Sequence, residues 1–324
     1  MTMDVTLSPP VSWAETYAGP CREHYRRVLL EMAREDERII CVDSDMGGFE
    51  DSFEPHLPQQ YVNVGIAEAN MMGIGAGLAH AGRIPFVNTI SSFAAARSCE
   101  QVKIDIAGNN LPVRIVVTHG GLSAGHYGPT HHAVEDVAII RTLPNMTVIV
   151  PADAVETELA VRATAGVTGP VFLRLGRAET PLIHQGPIDF AIGRAMPLRP
   201  GDDVTIVACG AYPVHLALQA HERLARAGIG ARVLNMHTVR PIDVEALARA
   251  AEETKGIVTI EDHLRSGGMG GAVCEVICEH RPRPVRRLGV GDGFLDVVGD
   301  ELELLEAAGV SADRLVTSAS ELCR

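Results

Sequence analysis

The sequence predicts an α/β protein built of two doubly wound domains. Three observations predict it. Short apolar runs alternate with helical stretches along the chain, a pattern that favours parallel strands with helices on both faces of each sheet. A polar stretch holding Pro and Gly, HQGPIDFAIGRAMPLRPGDD (184–203), interrupts the alternation once, after which it resumes. The length, 324 residues, suits two domains at roughly 150 residues each.

In chain order, MTMDVTLSPPVSW has no basic segment followed by an apolar one, so residues 1–11 are expected to be a flexible lead rather than a signal peptide. REHYRRVLLEMARED (22–36) has the spacing of an amphipathic helix, and RIICVD (38–43) that of a short buried strand. YVNVGI (61–66) is a second strand, leading into the small-residue helix AEANMMGIGAGLAHAG (67–82). Strands follow at 85–90, 113–119, 147–151 and 171–175, separated by helices near 94–107, 133–143 and 153–165. These make a first domain over 12–184, a linker over 185–199 and a second domain over 200–324. In the second, strands are expected at 204–210, 231–237 and 256–261 and helices at 213–227 and 243–254, with a Gly-rich turn, SGGMGG (266–271), before another helix.

Composition narrows the function. Hydrophobic residues are 46% of the chain and aromatics only 4%, so a full core can form but must be built from Ala, Val, Ile and Leu. The net charge of −13 argues against nucleic acid or an anionic membrane as partner, since both need clustered Lys and Arg. No apolar run reaches the roughly 18 residues that a spanning helix needs. The cysteines, 7 in number, include no CxxC pair and read as small hydrophobes of a reducing compartment, so a cytoplasmic protein is expected.

Two segments carry chemistry. In Gly65-Ile66-Ala67-Glu68 a strand gives way to a helix, with one carboxylate at the junction and apolar or small residues after it. Glu68 is expected against packed surface, where desolvation disfavours its charged form and lets it donate a proton to a ring nitrogen. A first-turn glutamate serving the helix dipole is the plainer alternative. The second segment runs from Thr118-His119-Gly120-Gly121 to Gly128-Pro129-Thr130-His131-His132. Loops after strand ends are where open α/β sheets place their sites, and imidazoles grouped so closely can move protons near neutral pH. The loop holds no carboxylate or Cys at ligand spacing, so this chain is expected to hold no metal.

The order VGIAEANMMGIGAGLA, NTISSFAAARSCEQVKIDIA, VVTHGGLSAGHYGPTHHAVEDVAIIRTLPNMTVIVPADAVE and FLRLGR resembles the pyrimidine-binding domain of transketolases, and the chain after residue 200 resembles their C-terminal domain. The resemblance implies thiamine diphosphate as cofactor and transfer of a two-carbon ketol unit. It implies that Glu68 bonds N1′ of the aminopyrimidine and favours the 4′-imino tautomer, that Phe93 stacks on that ring, and that His119 and His131 contact substrate and the cofactor amine. Asp45 and Met46 match a loop that touches the cofactor. Arg22 and Arg177 match arginines that bind a sugar phosphate.

Departures from the family pattern matter. Gly125-His126-Tyr127-Gly128 stands where the family often has Gly-Glu-Asp-Gly. That replaces an acid that contacts a donor hydroxyl, and His126 and Tyr127 are expected to serve another substrate. The loop after DSDM reads GGFED, without a serine that would help hold phosphate. The family's diphosphate domain carries Gly-Asp-Gly with Asn-Asn further on. Here the Gly-Asp-Gly is Gly291–Gly293, with no Asn-Asn after it. The resemblance therefore implies a partner subunit that supplies Mg2+ and diphosphate contacts, in an α2β2 enzyme. A β subunit of a 2-oxo-acid dehydrogenase and a non-catalytic scaffold are the rival readings. A nicotinamide dehydrogenase would need a G-x-G-x-x-G turn after an early strand.

Overall fold

The computed structural model describes residues 17–45 and 48–324; the lead expected at 1–11 and Met46 lie outside them. Strands buried on both faces are apolar over most of their length, and these keep polar residues, such as Asp43, Arg114 and Arg174, for their ends. In Ile39–Asp43 all residues are buried, yet Ile40 and Val42 enter one core while Ile39 and Cys41 enter another. Val87, Ile115, Val117 and Phe172 follow the first pair; Phe86, Val116, Val171 and Leu173 follow the second. Helix Cys21–Glu35 covers the second face with Tyr25, Val28 and Leu29, joined by Ala160 and Val161 of helix Ala154–Thr164. Helix Glu68–His80 covers the first with Met71, Met72, Ala76 and Ala79.

The first sheet has seven strands, in the order Thr238–Arg240, Thr147–Ile149, Val171–Arg174, Arg114–Thr118, Ile84–Ile90, Ile39–Asp43, Tyr61–Asn63. All pairs are parallel except the first. Ile39–Asp43 lies between the two strands that follow it in sequence, so the winding reverses there. Such a switch point opens a crevice at the carboxyl ends of the strands. The second sheet has five strands, in the order Val285–Val290, Ile257–Leu264, Val204–Cys209, Ala231–Asn235, Met196–Arg199, parallel except for the last pair.

Three features differ from the sequence expectation. Met196–Arg199, placed in the linker by its polarity, is an edge strand of the second sheet. Thr238–Arg240 follows a strand of the second sheet but pairs with the first, antiparallel to Thr147–Ile149. Runs of three or four residues are too short to show a period. The helix expected near 94–107 is divided: wide π-type turns at Phe93–Arg97 and Val102–Ala107 flank one tighter turn at Cys99–Gln101. Turns of this type recur at functional sites.

The two units share one apolar core, which runs from Met72 and Ile106 through Val148 to Met236, Leu247 and Val273. A buried ion network crosses the same junction. Arg174 Nε donates to Asp136 at 2.7 Å and its Nη1 donates to Asp262 at 2.7 Å. Among the described residues no helix is long and apolar enough to cross a membrane. The cysteines are all free; Cys21, Cys41 and Cys209 are buried, but Cys278 is exposed and Cys274 half-buried.

Candidate active site

Asp45, Glu68, Phe93, His119 and Arg177 each follow the carboxyl end of a parallel strand of the first sheet. One loop, after Arg114–Thr118, also supplies His126, Tyr127 and His131. Arg22 comes instead from the first turn of helix Cys21–Glu35.

Glu68 begins its helix, where a carboxylate suits the partial positive charge of the unpaired N–H groups. It is 2% exposed, so the expected burial is present. Its neighbour was not expected: Arg97 Nη1 donates to Glu68 Oε2 at 2.7 Å, and Thr89 Oγ1 lies 3.4 Å from Glu68 Oε1. The same guanidinium covers the Phe93 ring at 4.0 Å. Arg97 is the residue that sequence reasoning missed. The available signal was a cation four residues after Phe93, a spacing that helical turns bring to one side.

From Phe93 the contacts continue by rings. Phe93 and His131 meet edge-on at 5.3 Å, and His131 stacks on Tyr127 at 4.9 Å. Tyr127 lies 4.1 Å from His126 and 6.0 Å from His119. Arg177 sits over the Tyr127 ring at 5.6 Å. His119 is buried, at φ +61°, with Nδ1 2.8 Å from Thr118 Oγ1. Burial, reinforced by the charges of Arg177 and Arg22, pushes its imidazole down to about 3. The neutral imidazole is therefore the favoured form of His119 at pH 7. Arg22 lines a small cleft with Tyr25, Asn88, Thr89 and His119. Asp45 stands exposed on a turn at φ +61°, and the contacts that join the other residues do not include it.

The glycines of the loop have a steric cause. Gly121 adopts φ +59°, and a Cβ there would strike the Asp262 carboxylate. A Cβ at Gly125 would strike the Gly299 carbonyl. Both neighbours belong to the second unit, which thus shapes the histidine loop directly. The Arg174–Asp136–Asp262 network lies beneath: Ser91 Oγ donates to Asp136 at 2.5 Å, tying the start of the Phe93 turn to it.

Among the described residues no group of three or more His, Cys, Asp or Glu is placed to hold a metal ion. Gly291–Gly293 lines a cleft of the second unit and a cavity between that unit and the histidine loop. Asn109-Asn110 lies in the turn after Val102–Ala107. The arrangement sets a planar guanidinium between a buried carboxylate and the Phe93 ring, with a chain of rings leading from Phe93 to Arg177.

Comparison with known proteins gives these geometries a context. Residues 20–182 match the family described as "Transketolase, pyrimidine binding domain" and residues 193–315 match "Transketolase, C-terminal domain". The chain is 40% identical over 307 residues to one of the subunits of the apulose-4-phosphate transketolase of Phocaeicola vulgatus, covering 94% of this chain and 97% of that protein. It is 41% identical over 303 residues to the 6-deoxy-6-sulfo-D-fructose transketolase subunit SqwH of a Clostridium species, covering 93% and 94%. A solved structure described as a split gene transketolase, inactive β4 tetramer, superposes with a TM-score of 0.85 at 40% identity, covering 94% of this chain and 98% of that one.

Proposed function

The chain belongs to the transketolase family, and from that premise we propose that it is one subunit of a split, thiamine diphosphate-dependent transketolase. It moves a two-carbon ketol unit from a ketose donor to an aldehyde-type or carrier-bound acceptor. The observation that carries this reading is the seat made by Glu68 and Phe93. A planar guanidinium there stacks on one and pairs with the other. Those are the contacts an aminopyrimidine needs: a ring to lie on and a carboxylate at a ring nitrogen. The residues fit the pyrimidine half of the cofactor once Arg97 swings aside.

Diphosphate and Mg2+ we assign to a partner subunit in an α2β2 enzyme, because no Asn-Asn follows the Gly-Asp-Gly of this chain. The split-gene neighbour, described as an inactive β4 tetramer, supports a chain that acts only with its partner. The free cysteines suit a reducing cytoplasm, where we place the enzyme.

When bound, the cofactor supplies the nucleophilic carbon that carries the two-carbon unit. The chain does the rest. Glu68 would hold a proton at the ring nitrogen, and Phe93 would give the ring a face to lie on. His131, stacked on Tyr127, is the imidazole we assign to the cofactor amine. Neutral His119 offers a substrate oxygen one N–H or one lone pair without adding charge. Arg22 and Arg177 would hold an anionic end, and Asp45 would contact the cofactor from the turn after Ile39–Asp43; Met46, matched to the same family loop, lies outside the described residues. With His126 and Tyr127 in place of the family's acids, we assign a donor other than an ordinary pentose phosphate. Relatives named for apulose 4-phosphate and 6-deoxy-6-sulfo-D-fructose support a ketose with an anionic group.

The test is reconstitution with the diphosphate-binding subunit, cofactor and Mg2+. Ketol transfer without pyruvate decarboxylation is expected, and titration calorimetry should find no tight cofactor binding by the lone chain. Pyruvate decarboxylation in place of transfer would move the chain to the dehydrogenase reading. If Glu68→Ala leaves C2–H/D exchange of the cofactor at the wild-type rate by NMR, Glu68 leaves the site.

A further inference from the structure

The chain carries 41 acids against 28 Lys and Arg, and many of its arginines have carboxylate partners. Arg27, Arg38, Arg97, Arg141, Arg162 and Arg223 are all ion-paired. Four arginines of the second unit are gathered in one place without such partners. Arg265, Arg286, Arg287 and Arg314 line two adjoining clefts, of about 490 and 220 Å³, that share Arg265, Arg286, Arg287 and Gly291. Among the described residues none of the four has a carboxylate oxygen within 4.0 Å. Asp292 is the one acid among the lining residues. Like charges gathered in one cleft repel each other, and the remedy available to a strongly acidic chain, a neighbouring carboxylate, is not used.

The cleft is shaped as well as charged. Arg265 follows the carboxyl end of strand Ile257–Leu264, and Gly291 that of the parallel edge strand Val285–Val290. Crevices outside the carboxyl ends of parallel strands are where such sheets take ligands. Arg287 Nη1 donates to the Arg265 carbonyl, which fixes one guanidinium against the loop that carries another. Gly291 has no neighbour near where a Cβ would project, so the floor of the cleft is open. Arg314, from the first turn of helix Ala312–Cys323, closes the far side beside Gly309.

We propose that this cleft is a binding site for a small polyanion carrying two or more linked phosphate groups. Guanidinium forks match phosphate oxygens two at a time, which a single carboxylate would not need in such number. No aromatic side chain lines either cleft, so recognition rests on the phosphates and not on stacking of a base. The site is separate from the Glu68 seat. It adjoins a third cavity through Leu264, Val290 and Asp292, and that cavity reaches His132 and Pro129 of the histidine loop.

Titration calorimetry with inorganic tripolyphosphate, on the lone chain and on the complex reconstituted with its partner, tests this. Saturable micromolar binding is expected, weaker by about tenfold or more in Arg286→Ala and in Arg287→Ala and unchanged in Arg249→Ala, whose arginine pairs with Glu245 outside the cleft. A nucleoside triphosphate should bind no more tightly than tripolyphosphate. Equal weakening in Arg249→Ala, sulfate binding as tightly as tripolyphosphate, or no saturation at all would overturn the site. Loss of tripolyphosphate binding when the partner is added, together with loss of assembly in Arg286→Ala, would also overturn it and make the cleft a subunit interface.

Discussion

Replacing Arg97 with alanine should move two quantities in opposite directions. In the chain without cofactor, Arg97 donates to Glu68 at 2.7 Å, with side-chain exposures of 47% and 2%. Breaking a fully buried pair costs about 3–5 kcal/mol, because a charge stays behind unpaired. An exposed pair contributes about 0–1 kcal/mol. With one partner half in solvent, a loss of about 1–2 kcal/mol is expected, and Thr89, 3.4 Å from the other carboxylate oxygen, replaces little of it. The stack on Phe93 adds about 0.5–1 kcal/mol. Urea unfolding of the lone Arg97→Ala chain should therefore show lower stability. In the assembled enzyme the cofactor must break those same contacts to take the seat. Removing them in advance should tighten thiamine diphosphate binding by about tenfold, at about 1.4 kcal/mol per decade. Calorimetry on the reconstituted complex reads this directly. Weaker cofactor binding in Arg97→Ala would mean that Arg97 helps hold the cofactor and does not stand in its place, and the reasoning would fail.

His119 and Arg174 should each leave a mark on stability. The folded pKa of His119, about 3, lies below the unfolded value of about 6.5. Between those values the unfolded chain binds a proton that the folded chain refuses, so stability is full above about pH 6.5 and declines as pH falls, by up to about 1.36 kcal/mol per unit. Unfolding at pH 7 and pH 5 should differ by about 2 kcal/mol from this group, and His119→Asn should remove that share of the slope. Arg174→Ala leaves the buried Asp136 and Asp262 carboxylates without their cation. It should cost about 3–5 kcal/mol in denaturant unfolding, and Arg174→Lys should recover only part, since one ammonium cannot reproduce the fork.

How much of this was legible in the sequence depends on the range of each interaction. The strands were legible because burial on two faces makes the run itself apolar, as in Ile39–Asp43. Glu68, Phe93, His119 and His131 stood out by motif, and the structure brings Phe93, His131, Tyr127 and His119 into one chain of rings. The charge partners did not stand out. Arg97 lies 29 residues from Glu68, and Arg174 lies 88 from Asp262. Nothing local marks such a pair, because its energy arises only after the sheet has formed. The strand exchange at Thr238–Arg240 was hidden for another reason. Three residues have no measurable period, and their pairing with Thr147–Ile149 is decided by the shared core beneath. Asp45 was legible only through its match to a family loop, and it stands on an exposed turn.

Tyr127 separates two ways of explaining the departure from the family pattern. Its ring stacks on His131 at 4.9 Å and carries the Arg177 guanidinium at 5.6 Å. Its exposure is 47%, so the side chain is open to solvent on one side. If the ring is what matters, Tyr127 holds His131 and Arg177 in place and acts through them. An aromatic stack is worth about 0.5–1.5 kcal/mol and a cation–π contact about 0.5–1 kcal/mol. Tyr127→Ala should then lower kcat/KM by about tenfold or somewhat more, while Tyr127→Phe, which keeps both contacts, should remain near wild type. If instead the hydroxyl replaces the family's acid at a donor hydroxyl, Tyr127→Phe should lose as much as Tyr127→Ala, because a site built to bond a substrate hydroxyl suffers when that bond is removed. Steady-state kinetics of the reconstituted enzyme with an anionic ketose donor decides between them. The two ring contacts favour the first explanation, so equal losses in the two variants would refute the positioning role.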